Sequence, residues 1–217
     1  MTTSAMHPIM DSRRAALARL AYAVDRPGCV ALLCGPPGTG KTAILDRLAA
    51  EIGRRAERRP LTAWLDGMAT AGLPEIVLAD DAHAGDVATL VRLLDAVRSR
   101  RPEANLVLAG EGRLLSLVSR DPRLVRAVGL RAVLPPFTAE ETRDVLDATL
   151  FTGRPGRMAA GARDDVARTI HEIAAGIPAV VVRLAEFAAL VADTRPGADV
   201  GPADIEAIHL RLSLQAA

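Results

Sequence analysis

Short unbroken apolar runs punctuate the first two thirds of the chain: CVALLC at 29–34, the core of EIVLADD at 75–81 and of ANLVLAG at 104–110. Runs of this length fit strands buried on both faces of a sheet. Between them apolar residues return every three or four positions, the rhythm of an amphipathic helix. Ala15, Leu17, Leu20, Ala21 and Val24 predict a helix over 11–25. Ile44, Leu45, Leu48 and Ile52 predict one over 41–58, ending in Arg54, Arg55, Arg58 and Arg59. Val87, Leu90, Val91, Leu94 and Val97 predict one over 86–100. Two further strands are expected at LTAWLDG (61–67) and LRAVLP (130–135), with short helical stretches at 114–118 and 121–128. Strands alternating with helices imply a three-layer α/β/α core around a five-stranded, mostly parallel sheet.

The rhythm changes after Pro135-Pro136. Helical patterns at 138–150, 162–175 and 178–193, and one from Pro202 to about Leu212, follow without a strand. The first opens with Thr138 and Glu141 at the spacing of a capping box. AAGIP separates the second from the third. The division expected is an α/β domain over 1–137 and a small all-helical domain over 138–217.

Half of the 217 residues are apolar, enough for a real core, and aromatics are scarce. A formal net charge of +1 argues against a broad nucleic-acid or membrane footprint. No apolar stretch is long enough to span a bilayer and no secretory h-region opens the chain, so the expected location is the cytoplasm. Cys29 and Cys34 flank one strand and point to opposite faces of it, which makes a disulfide between them implausible and reads them as small buried hydrophobes. One bias is informative. The positive charge is nearly all arginine, and the sole lysine is Lys41. A compact ammonium fits between phosphates where a planar guanidinium is too bulky.

Lys41 lies within GPPGTGKT (35–42), between an expected strand and an expected helix. Gly35, Gly38 and Gly40 let the backbone wrap tightly, with Pro36, Pro37 and Thr39 between them, and turn N–H groups inward. The helix that follows, through Ala43, adds its N-terminal partial positive charge. Lys41 would reach the terminal phosphates and Thr42 would ligate Mg²⁺. IVLADDAH supplies the acidic partner. Asp80, at the C-terminal end of its strand, would hold Mg²⁺, and Asp81 would polarise the attacking water. Asp81 is one methylene shorter than a glutamate. His83 reads either as a surface or capping residue or as a coupling residue. The end of the fourth strand, with Gly110 and Glu111, would face the terminal phosphate, and Glu111 is anionic beside an anion. It either points away or helps to position the water.

The order of these motifs, with VLAGEGRL, DPRLVRAVGLRAVLPPFTAEETRDVL and AAGIPAVVVRLAEFAALVA, resembles the AAA+ ATPases of the ExeA type, secretion-pathway ATPases whose relatives include the MuB/TniB-type ATPases of transposons. The resemblance covers about residues 12–210. It implies a P-loop core with a helical lid, ATP and Mg²⁺ as cofactors, assembly into a homo-oligomer with ATP bound, and slow hydrolysis that drives a partner machine. It also implies a lid arginine on the nucleotide at the position of Ala179, for which Arg183, one turn along, is the substitute. A trans-acting arginine falls near Arg126, with Arg131 as the second choice. Asp81, Glu111 and Ala179 all depart from the family's pattern around one phosphate. Two rival readings follow: an ATP-dependent binding switch with vestigial hydrolysis, and a DNA-binding transposition or loading ATPase, which the near-neutral charge does not favour.

Overall fold

The computed structural model describes residues 11–67, 72–152, 160–194 and 199–214. Two compact units divide at Pro135/Pro136. In the first, α1 (Asp11–Val24), β1 (Val30–Cys34), α2 (Lys41–Ile52), β2 (Ala56–Pro60), α3 (Leu61–Gly67), β3 (Ile76–Asp80), α4 (Val87–Arg100), β4 (Asn105–Gly110), α5 (Gly112–Ser119), α6 (Pro122–Ala127) and β5 (Val128–Val133) follow in order. The strands lie in the order β2-β3-β4-β1-β5, every pairing parallel. β1, which carries the glycine-rich loop, is therefore flanked by β4 and β5, with β3 one strand beyond β4.

Side-chain alternation along the strands makes two cores, because successive residues of a strand face opposite ways. Leu33 and Leu78 join Leu20 of α1 and Leu45 and Leu48 of α2 on one face. Leu32, Val77 and Leu106 join Trp64, Leu90 and Leu114 of α3, α4 and α5 on the other. The three-layer α/β/α expectation holds. The two cysteines follow the same alternation: Cys34 is in the second core, Cys29 packs against the first, and both are free thiols.

One segment differs from the sequence reading. The helix expected over 41–58 stops at Ile52, where Gly53 takes φ +73° and closes the helix end. Arg54 and Arg55 sit in a 3₁₀ turn, and Arg58 and Arg59 lie on the edge strand β2 rather than on a helix end. LTAWLDG, expected as a strand, is helix α3. The physical reason is the place of β2 in the sheet. An edge strand needs no continuous apolar run, and long charged side chains suit it. Pro60 is tolerated at its end. Leu61 and Trp64, three apart, bury one face of α3, and the Trp64 indole N–H donates to the Leu78 carbonyl at 3.1 Å. Arg59 covers the Trp64 ring.

The second unit holds α7 (Ala139–Thr149), α8 (Ala160–Ala174), α9 (Pro178–Thr194) and α10 (Pro202–Leu214). Phe137, Leu146, Ile170, Val181, Ala185 and Ile205 belong to its core. The capping box forms as expected: Thr138 Oγ1 accepts from the Glu141 amide, and the Thr138 amide donates to the Glu141 carboxylate. AAGIP makes a tight α8–α9 corner in which Ala175 (φ +47°) and Gly176 (φ +68°) are left-handed. A Cβ at Gly176 would stand 2.4 Å from the Phe137 carbonyl oxygen, so glycine is required there. Thr142, fully buried, meets His171 Nδ1 at 2.9 Å, which gives this histidine a structural partner. No helix among the described residues is long and apolar enough to cross a membrane.

Candidate nucleotide site

The loop between β1 and α2 is shaped by its glycines. A Cβ on Gly35 would fall 2.6 Å from the Leu134 carbonyl oxygen and 2.8 Å from Thr39 Oγ1. Gly38 and Gly40 have φ +74° and +91°, a region that L side chains rarely adopt. Thr39, fully buried, donates its hydroxyl to the Pro36 carbonyl at 2.8 Å. The Gly35 amide donates to the Gly110 carbonyl at 3.2 Å, which fastens the loop to the end of β4. Arg13 braces it from α1. This buried guanidinium donates to the Pro135 carbonyl at 3.0 Å and, more loosely, to the Thr39 carbonyl at 3.4 Å.

Gly40 stands at the cap of α2 and makes no side-chain hydrogen bond to it, so the partial positive charge of the helix N-terminus faces the loop. Lys41 folds back beneath it. The residue is 8% exposed, and its ammonium donates to the Gly35 and Pro36 carbonyls at 3.0 and 2.9 Å. Thr42 and Ala43, on the first turn of α2, are exposed.

Thr42 Oγ1 donates to Asp80 Oδ2 at 2.8 Å. This contact joins the two motifs, some forty residues apart in sequence. The Asp80 carboxylate is buried, and its other oxygen accepts from the Asp81 amide at 3.0 Å. The set fits Mg²⁺: two hard oxygens from the protein leave the remaining positions to phosphate and water, as this cation prefers. Thr42 and Asp80 would hold the ion, and its chemistry would be to neutralise phosphate charge. Among the described residues no group of three or more His, Cys, Asp or Glu forms a separate metal site.

Sequence reasoning missed Arg58. On β2 it sits diagonally from Asp80, one strand away, and its Nη1 lies 3.4 Å from Asp80 Oδ2 while its Nε donates to Asp46 of α2. Its signal in the sequence was Gly53, which ends the helix five residues earlier and lets AERRP extend as a strand.

Asp81 and Glu111 stand in different surroundings. Asp81 is left-handed (φ +52°) and exposed, and it lines a cavity of about 570 Å³ with Leu61, Leu65, Asp86 and Arg113. Glu111 is the residue before α5, and its Oε1 lies 3.5 Å from His83 Nε2. Arg126 on α6 and Arg131 on β5 are both exposed. Arg183 is exposed on α9 of the helical unit, and Ala179 is exposed one turn before it. Cys34, at the base of the loop, has its thiol pushed up to about 11 by burial, against the lowering pull of Lys41 and Arg131.

A parallel sheet ordered β2-β3-β4-β1-β5, a phosphate-type loop after β1, an acid at the end of β3 and a helical C-terminal region together define the fold of an AAA+ P-loop protein. Solved structures carry the same fold. The chain is similar to the Aeropyrum pernix ORC1 protein in complex with DNA (TM-score 0.67, 21% identity, 97% of this chain and 68% of that one). It is similar to a point mutant of Thermotoga maritima RuvB (0.64, 16%, 92% and 70%) and to the A. pernix ORC2 protein in its ADPNP–ADP complexes (0.62, 15%, 94% and 68%). No protein-family model matches the chain, and no curated protein does.

Proposed function

We propose that this protein binds ATP with Mg²⁺ and hydrolyses it slowly, using the nucleotide state to drive lid movement and assembly on a partner machine. The observation that carries the reading is the Thr42–Asp80 hydrogen bond beneath a loop closed over Lys41. On this reading it joins the residues that would hold phosphate to those that would hold the metal, from two motifs distant in sequence. Backbone amides and Lys41 would take the phosphate charge, and catalysis would be electrostatic positioning rather than covalent chemistry. The fold shared with an ORC protein solved with ADPNP and ADP supports a nucleotide role. The secretion-type assignment rests on the sequence motifs alone. Assembly of copies would give the exposed Arg126, or Arg131, a role in a neighbour's site, with Arg183 acting from the lid.

The exposed, left-handed Asp81 favours one second reading, a switch that holds ATP without turning it over. The deciding experiment is size-exclusion with and without ATP and Mg²⁺, with phosphate release measured on the same fractions. Lys41→Ala is expected to lower ATP affinity by about 100-fold or more, as loss of a charge-assisted phosphate contact does. Turnover unaffected by that change would end the assignment.

A further inference from the structure

We propose that His83 is a positioning residue: it holds the Glu111 carboxylate at the end of β4, and Glu111, rather than Asp81, aligns the water that attacks the terminal phosphate of ATP. The inference rests on the nucleotide reading above and specifies how that site works. In the step, the water oxygen bonds to the γ-phosphorus as the bond from that phosphorus to the β–γ bridging oxygen breaks. ADP leaves with the bridging oxygen, and the water proton passes to the Glu111 carboxylate and then to solvent.

Four independent observations converge on the pair. The Gly35 amide is tied to the Gly110 carbonyl, so Glu111 follows directly the residue that fastens the phosphate loop. Glu111 occupies the N-cap position of α5, yet its carboxylate makes no capping hydrogen bond, whereas the carboxylates of Asp86 and Asp121 each cap their own helix. The Glu111 carboxylate is instead turned to His83 Nε2 at 3.5 Å, a distance that can tighten when substrate binds. Finally, His83 is packed closely against the end of β4 and its backbone is held. A Cβ on Gly110 would meet His83 N, Cβ and Nδ1 at 3.0 to 3.2 Å, and Arg113 clamps the His83 carbonyl at 3.0 Å. Nδ1 is buried and has no hydrogen-bond partner among the described residues, so Nε2 is the nitrogen through which this ring acts.

A carboxylate beside a triphosphate is repelled unless an N–H donor fixes and partly offsets it, and His83 supplies that donor. Asp81 lacks the reach of a glutamate, and its left-handed backbone turns it out to solvent and to the cavity beside α3 and α4.

Single-turnover ATP hydrolysis and equilibrium binding of a fluorescent ATP analogue, measured on the full chain, test the pair. His83→Ala is expected to slow turnover by about 100-fold, the scale of a lost general-base contribution, with ATP affinity kept within about threefold. His83→Gln, whose amide can donate to the same carboxylate, recovers part of the rate. The double variant His83→Ala/Glu111→Gln is no slower than Glu111→Gln alone, because both act through one group. Thermal melting of each variant reports folding. Rate losses that multiply in the double variant overturn the proposal, as does a His83→Ala variant that loses affinity and rate together. Wild-type protein that binds ATP and never turns it over overturns it too, while leaving nucleotide binding intact. Wild-type protein that binds no ATP overturns the nucleotide reading itself.

Discussion

Replacing Arg58 with methionine is expected to tighten divalent-cation binding. With no cation bound, the Asp80 carboxylate already has a cationic partner, since Arg58 Nη1 stands 3.4 Å from Oδ2. At that separation the gross attraction is about 5 kcal/mol for an effective dielectric near 20 and about 1 kcal/mol for a water-like one. The Arg58 side chain is 29% exposed and divides its charge between Asp80 and the half-exposed Asp46, so the net value belongs at the lower end, about 1 kcal/mol. A cation arriving at Asp80 must overcome this attraction and also meets the repulsion of the guanidinium. Methionine keeps much of the length and apolar stem and removes both effects. The affinity for Mn²⁺, read by electron paramagnetic resonance at a fixed ATP concentration, should rise by about 5-fold to 10-fold. Equal or weaker Mn²⁺ binding at an unchanged melting temperature would refute the argument, and would mean that Arg58 orients Asp80 instead of competing for it.

Two other outcomes concern stability and thiol chemistry. Gly176→Ala should destabilise the helical unit by about 3 kcal/mol, combining a left-handed alanine with a Cβ forced against the Phe137 carbonyl; thermal melting of the full chain measures it, and an unchanged midpoint would contradict the corner geometry. Cys34, its thiol raised to about 11 by burial, should resist alkylation in the native protein at pH 8. For this acid the neutral form is favoured by folding, so the associated stability is complete below the unfolded-state value and is lost as pH climbs through about 11. Mass spectrometry after brief iodoacetamide exposure decides the point, and prompt native labelling of Cys34 would show the burial to be wrong.

Much of the candidate site was legible because its motifs are local. GPPGTGKT specifies its own backbone, and IVLAD announces a buried strand that ends in an acid. The misreading fell on the segment where local pattern and tertiary position disagree. Leu61, Trp64 and Leu65 are spaced for a helix, but LTAWLDG is also rich enough in strand-forming residues to read as a strand. AERRP carries little apolar signal, because an edge strand buries little; Arg58 pairs with Asp46 and Asp80, and Arg59 with Glu57 on its own strand and with the Trp64 ring. Arg58 and Asp80 meet across β2 and β3, and His83 and Glu111 meet past the ends of β3 and β4. Such pairings come from sheet order, and single-sequence spacing does not encode sheet order. His83 was visible only as a histidine near an acidic pair. Its partner required knowing that β3 and β4 are adjacent.

The one lysine has a consequence outside phosphate chemistry. Every other basic side chain in the protein, histidine aside, is a guanidinium, which acyl donors and ubiquitin-type conjugation do not use. The only ε-amine is Lys41, folded beneath its loop on two carbonyl oxygens. A cell that marks proteins through lysine side chains would have a single place to write on this chain, and writing there would fill the cradle.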